Sequence, residues 1–170
     1  MAERIVKTVS SSGVPVVVDS RFRTGEYRAV TAITPNITEL EASEGIAIGS
    51  DATLLQRIGA QVLARQRLAC LLVTLGRFGM TLIRARLAPL HIPIYGTDEV
   101  ADVTGAGDTV IAVFGLALAC GASQEDAARL ANYAGGIVVM KRGTATVSRD
   151  ELRAAVEQDL GDPHLECPAH

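Results

Sequence analysis

Short apolar runs, punctuated by glycine or proline, alternate along this chain with longer helical stretches, and that alternation limits the fold most. Residues 14–18 form a compact β-branched run closed by Asp19, and residues 29–34 form a second run stopped by Pro35. A third run, 70–75, leads into Gly76-Arg77-Phe78-Gly79 and a returning run at 80–84, the pattern of a hairpin. Residues 87–94 read as extended, with Pro89 and Pro93 as breakers. Helical stretches are expected over 3–11, 38–43, 52–66 with Asp51 as cap, about 107–120, 123–139 with Ser123 as cap, and 149–158. Strands that alternate with helices predict an α/β domain with a mostly parallel sheet flanked by helices. One domain is expected over 1–160, followed by a polar tail over 161–170.

Hydrophobic residues make up 48% of the chain and aromatic residues only 4%, so the core has to be aliphatic. A net charge of -3 gives no electrostatic case for nucleic acid or a membrane surface. Cys70, Cys120 and Cys167 are widely spaced and odd in number, which fits neither a zinc pattern nor a disulfide framework. His91, His164 and His170 make no ligand cluster. The first ten residues carry Glu3, Arg4 and Lys7 without an apolar core, so no signal peptide is expected. No run is long and apolar enough to span a bilayer. A cytoplasmic setting is the expectation.

The chemistry concentrates at Asp102-Val103-Thr104-Gly105-Ala106-Gly107-Asp108, which opens directly into the apolar run from Thr109 to Cys120. Free N–H groups at a helix start form an anion site, and Gly105 and Gly107 allow close approach to the main chain. A carboxylate at Asp108 makes sense there if it takes a proton while the amides stabilise developing negative charge. The plainer alternative is a glycine cap with Asp108 placed favourably at the positive helix end. Thr104 adds a hydroxyl, and Asp102 a second carboxylate, beside the same turn.

Three further segments carry candidates. Asn36 and Glu39 are three apart after a predicted strand, a pair suited to Mg²⁺ and phosphate contacts through water, or to a capping box. Thr74-Leu75-Gly76-Arg77-Phe78-Gly79 reads as a nucleotide-admitting turn or as a plain hairpin. Asn132, inside an apolar helix, wants a partner, either a base edge or a backbone carbonyl. Downstream, Lys141 and Arg142 fit a helix end. The P-loop pattern, a Rossmann Gly-x-Gly-x-x-Gly after the first strand, and the Gly-x-Ser-x-Gly elbow are all missing from the sequence.

Taken in order, the four segments resemble the C-terminal half of the ribokinase-like (PfkB) carbohydrate kinases. Residues 102–108 resemble that family's C-terminal signature and Asn36-Ile37-Thr38-Glu39 its Asn-x-x-Glu motif. Thr74 to Gly79 resembles its nucleotide-side loop, and Asn132 falls in the helix that borders the adenine pocket. A finer likeness, to the heptose 7-phosphate kinase branch, is carried by Ala88-Pro89-Leu90-His91-Ile92-Pro93, by Asp102 to Ile111, and by Gly143-Thr144-Ala145-Thr146-Val147-Ser148. It extends from about Val14 to Leu152. Val113 departs from the small residue usual in the wider family, and Asp19-Ser20-Arg21 stands where the heptose branch has Asp-Pro-Lys-Gly.

The resemblance implies transfer of the ATP γ-phosphoryl group to a sugar or sugar-phosphate hydroxyl, with heptose 7-phosphate the expected acceptor. Asp108 would be the base, and the Gly105, Ala106 and Gly107 amides the anion hole. Asn36, Ile37, Thr38, Glu39, Thr74, Gly76, Gly79 and Asn132 would be nucleotide-side residues, with Asn36 and Glu39 holding Mg²⁺ through water. A monovalent cation is a further option. The family's catalytic domain is longer, and its N-terminal half supplies much of the sugar pocket. An open sheet edge is therefore expected, covered by a protein partner or a second copy. The same motifs also fit a non-catalytic nucleotide-binding or interaction module, or an inactive fragment.

Overall fold

The structure, a computed structural model, describes residues 6, 8, 9, 12–19, 21, 23–96, 105–141 and 145–161. Expectations for Asp102, Thr104, Arg142, Gly143, Thr144 and the tail beyond 161 fall outside these residues, as does most of the helix expected over 3–11.

Strands β1 (Val17–Val18), β2 (Ala32–Ile33), β3 (Cys70–Thr74), β4 (Met80–Arg84) and β5 (Leu90–Ile92) form one five-stranded sheet in that spatial order. The first three run parallel, with Val18 opposite Ile33 and Ile33 opposite Leu71. β4 and β5 return antiparallel, so the sheet is mixed. Helices α1 (Ile37–Glu44) and α2 (Ala52–Gln66) link β2 to β3, while α3 (Ala106–Ala119), α4 (Gln124–Val139) and α5 (Arg149–Gly161) follow the sheet.

Local chemistry sets the helix boundaries. Asp51 accepts from the Leu54 N–H and Ser123 from the Asp126 N–H, each satisfying a donor the helix itself leaves free. Ser148 and Glu151 exchange side chain and backbone at the start of α5. Gly45, in the left-handed region at φ 66, ends α1. Beyond it the Glu41 carboxylate accepts from the Ile48 and Gly49 N–H groups at 2.6 and 2.7 Å. Those bonds, that from Gly49 first, hold it below the usual carboxylate range.

Period-two alternation divides the core into two layers. Ile33, Leu71, Val73 and Ile83 pack against Leu40, Leu55, Ile58 and Val62 of α1 and α2. Ala32, Cys70, Leu72 and Leu82 face Val110, Phe114 and Ala117 of α3, with Ala127, Ala128 and Ala131 of α4 behind. Both layers are almost wholly aliphatic. Cys70 is a core residue here, and burial pushes its thiol up to about 12.

The first two strands are shorter than the sequence predicts. Pro15 has no N–H to offer, and Ala29 takes a left-handed φ of 55. The Thr31 hydroxyl also accepts the Val16 N–H at 2.9 Å, in place of a ladder carbonyl. Among the described residues β1 has a strand neighbour on one side only, and Val17 and Val18 are half-buried. Val14 (51% exposed) precedes β1, and Leu116 (66% exposed) lies on α3, which packs against it.

Candidate active site

Ligands of open α/β sheets settle outside the carboxyl ends of the parallel strands. Here that region is a cleft of about 920 Å³ between the starts of α1 and α3, the turn joining β3 to β4, and one face of α4.

One wall is the beginning of α3. Gly105 occupies the cap position at φ 80, a conformation that favours glycine, and supplies no capping side chain. The first-turn amides of Ala106 and Gly107 therefore lack a side-chain acceptor at the cap. A Cβ placed on Gly105 or Gly107 would meet nothing within 4 Å, so the space in front of this turn is open to a ligand. Asp108 is the third residue of α3, exposed and turned to the cleft, and no group among the described residues bonds to its carboxylate.

The opposite wall is the beginning of α1. Asn36 Oδ1 accepts the Glu39 N–H at 2.8 Å, and Glu39 Oε2 accepts the Asn36 N–H at 2.9 Å, a complete capping box. The capping alternative thus describes the fold, and it leaves Asn36 Nδ2 and Glu39 Oε1 outside the box. A backbone bridge joins Asn36 to Thr74, tying this wall to the end of β3.

Gly76 and Gly79 shape the turn from β3 to β4. Gly79 sits at φ 83, and a Cβ there would run into the Ile92 carbonyl oxygen and approach the Ile94 nitrogen at 2.7 Å. On α4, Asn132 is buried and its Nδ2 donates to the Pro93 carbonyl at 2.8 Å, the carbonyl option left open by the sequence. The next turn carries Gly135 and Gly136, which bring the backbone of α4 close to Val110 and Tyr95.

Gly105, Ala106, Gly107, Asp108, Asn36, Thr38, Glu39, Thr74, Gly76, Gly79 and Asn132 all line the one cleft. Ile37 does not: its side chain packs on the core between α1 and the sheet. Sequence reasoning missed Thr34 and the Gly135-Gly136 pair as cleft residues. Two adjacent glycines inside a helix, each roughly 1 kcal/mol worse than alanine, were a readable signal of close approach. Arg21 and Arg77 are the basic side chains on the cleft among the described residues, set against Asp19, Glu39 and Asp108.

The sequence pattern of the pfkB family of carbohydrate kinases matches residues 1–151. This chain belongs to that family. Within the pfkB family, the chain is 47% identical to the bifunctional protein HldE of Alcanivorax borkumensis over 92% of its own length and 33% of that protein's. With HldE of Hahella chejuensis the identity is 48%, over 94% of this chain and 33% of the relative. The chain thus spans about a third of the length of these curated relatives. Arabidopsis thaliana ribokinase, solved with ribose and ATP, superposes with a TM-score of 0.81 at 27% identity, over 90% of this chain and 51% of that one. Escherichia coli phosphofructokinase-2 shares the fold at 19% identity, with a TM-score of 0.78 over 91% of this chain and 50% of that one. The fold expectation holds: this pfkB chain is ribokinase-like. No helix among the described residues is long and apolar enough to cross a membrane.

Proposed function

We propose that the cleft is the phosphoryl-transfer portion of a sugar kinase that moves the γ-phosphoryl group of ATP to a hydroxyl of a sugar phosphate, heptose 7-phosphate. The observation that carries this reading is convergence. Segments at 36–39, 74–79 and 105–108, distant in sequence, line one cleft at the strand ends. The ribokinase that aligns with nine-tenths of this chain was solved with ribose and ATP, and the family match and the HldE relatives support a sugar kinase.

Phosphoryl transfer is mostly positioning and electrostatic stabilisation. Asp108 takes the acceptor hydroxyl proton, and its freedom from other partners among the described residues suits that task. The uncapped amides of Gly105, Ala106 and Gly107 face the charge that builds on the transferring group. Thr74, Gly76, Gly79 and Asn132 border the nucleotide, with Ile37 and Thr38 shaping the α1 wall behind Asn36. No group of three or more His, Cys, Asp or Glu side chains able to hold a metal occurs among the described residues. Mg²⁺ usually keeps several waters and rides on substrate phosphates. Asn36 Nδ2 and Glu39 Oε1, outside the capping box, are the groups to hold those waters. When bound, Mg²⁺ neutralises phosphate charge; the chain's own groups orient the two substrates and accept the proton.

The half-buried β1 edge, with Val14 exposed before it and Leu116 on the adjoining helix, supports a protein partner or a second copy on that side, completing the acceptor pocket in the cytoplasm. The test is Asp108→Asn, assayed for phosphoryl transfer from ATP to heptose 7-phosphate, alone and with a co-expressed amino-terminal half. Turnover should fall by about 10²–10⁴-fold while ATP binding by calorimetry persists. Unchanged turnover would remove Asp108 as base, and a wild-type chain that does not bind ATP would remove the kinase reading.

A further inference from the structure

At their carboxyl ends β1, β2 and β3 each present one polar residue to the same face of the sheet. Alternation places Asp19 on the side of Val17, Thr34 on the side of Ala32, and Thr74 on the side of Leu72, the face covered by α3 and α4. All three line the cleft. Neighbouring strands lie ~4.8 Å apart, so Thr34 is the middle member of a row about 10 Å across.

Thr34 stands out within the row. It is 6% exposed, and its Oγ1 has no hydrogen-bond partner among the described residues, although its backbone N–H donates to the Val18 carbonyl at 3.0 Å. Buried polar groups are nearly always satisfied, and each exception calls for a reason. The other such atom, Arg84 Nε, lies at the opposite end of the sheet, where Arg84 pairs in register with Cys70 and its guanidinium already meets Glu125. Thr34 instead lines a cleft that holds uncapped helix amides, Arg21 and Arg77, set against Asp19, Glu39 and Asp108. The amides and the two arginines are the groups there that attract an anion. Valine would fill the same volume without the polar atom.

We infer that Thr34 Oγ1 is a ligand-binding hydroxyl that donates a hydrogen bond to a phosphate oxygen of the nucleotide in this cleft. It is satisfied only when the cleft is filled. The inference rests on the nucleotide reading above, and the test separates the two. Thr34→Val and Thr34→Ser are compared with the wild-type chain in thermal melts without ligand, and in calorimetric titrations with Mg·ATP, magnesium pyrophosphate and adenosine. The valine variant should melt no lower than wild type without ligand. It should bind Mg·ATP and pyrophosphate about tenfold or more weakly, the expected loss for a hydrogen bond to a charged group, while adenosine binding is unchanged. Serine should bind as wild type does.

A lower melting point for the unliganded valine variant would overturn the inference, because the hydroxyl would then be spent on the fold. Wild-type affinity for Mg·ATP in that variant, or an equal loss for adenosine, would also overturn it. A wild-type chain that takes pyrophosphate but not ATP would refute the nucleotide reading alone, with Thr34 judged on pyrophosphate. Binding of neither refutes both.

Discussion

Two adjacent glycines on α4 should respond to different degrees to the same substitution. Replacing glycine by alanine inside a helix gains about 1 kcal/mol from backbone entropy and propensity. At Gly136 a Cβ would overlap the Tyr95 carbonyl oxygen, with the carbonyl carbon at 3.0 Å and the Tyr95 Cβ at 3.1 Å. That obstacle is backbone, and it is clamped from both sides. Asn132 bonds the Pro93 carbonyl at 2.8 Å, and the Tyr95 ring meets Tyr133 edge-on at 5.0 Å. Tyr133 in turn bonds Asp159 of α5, and burial first, then that carboxylate, pushes its hydroxyl up to about 12. Overpacking costs about 1–3 kcal/mol, and a fixed backbone puts Gly136→Ala at the upper end, for a net loss of ~2 kcal/mol. For a chain of this size that is a fall of about 4–8 °C in Tm. At Gly135 the Cβ would approach only the Val110 Cγ2, at 2.9 Å, a side-chain tip that can shift. Gly135→Ala should therefore stay within ~1 kcal/mol of wild type. Paired thermal and urea melts by circular dichroism measure both. A Gly136→Ala variant as stable as wild type would refute the clamp argument.

Asn36→Ala removes the α1 capping box and should cost about 0.5–2 kcal/mol in urea melts without metal. If Asn36 also holds metal-bound water, Mg·ATP affinity falls beyond what adenosine affinity does. Equal losses would confine Asn36 to capping. Glu151, bonded first to Lys141 and then to Ser148, has its carboxyl lowered to about 2 from an ordinary 4.5. A depressed carboxyl stabilises the fold above 4.5 and loses that contribution as pH falls toward about 2. Wild type should thus lose more stability than Glu151→Gln across that window in acid titrations followed by circular dichroism. Parallel titrations would contradict the assignment.

What the sequence made legible was local. Ala52–Gln66 and Met80–Arg84 match their expected bounds because Asp51, the Gly76–Gly79 turn and the apolar period all act within a few residues. β1 and β2 were overextended because their ends depend on Thr31 and Ala29, which respond to tertiary partners rather than to propensity. The short 3₁₀ turn at Thr24–Glu26 escaped notice for the same reason. In the site, Asn36 and Glu39 were readable from spacing, whereas Ile37 followed the motif and not the helix, whose geometry turns it to the core. Thr34 was invisible because burial without a partner is a property of the assembled cleft.

The register of the sheet also bears on the order in which the molecule assembles. Thr74 meets Met80 across a tight turn, and α3 folds back on α4 through a short link, so both are closures over few residues. Ile33 must find Leu71, and Val18 must find Ile33, across much longer loops. Loop-closure entropy makes such parallel pairings late events. The amides of β3 and β4 should accordingly gain protection from hydrogen exchange before those of β1 and β2 in pulse-labelled refolding; simultaneous protection would contradict this order. The Asn36 wall of the cleft rides on the late pairing, so a chain can hold most of its native helix before its cleft has two walls.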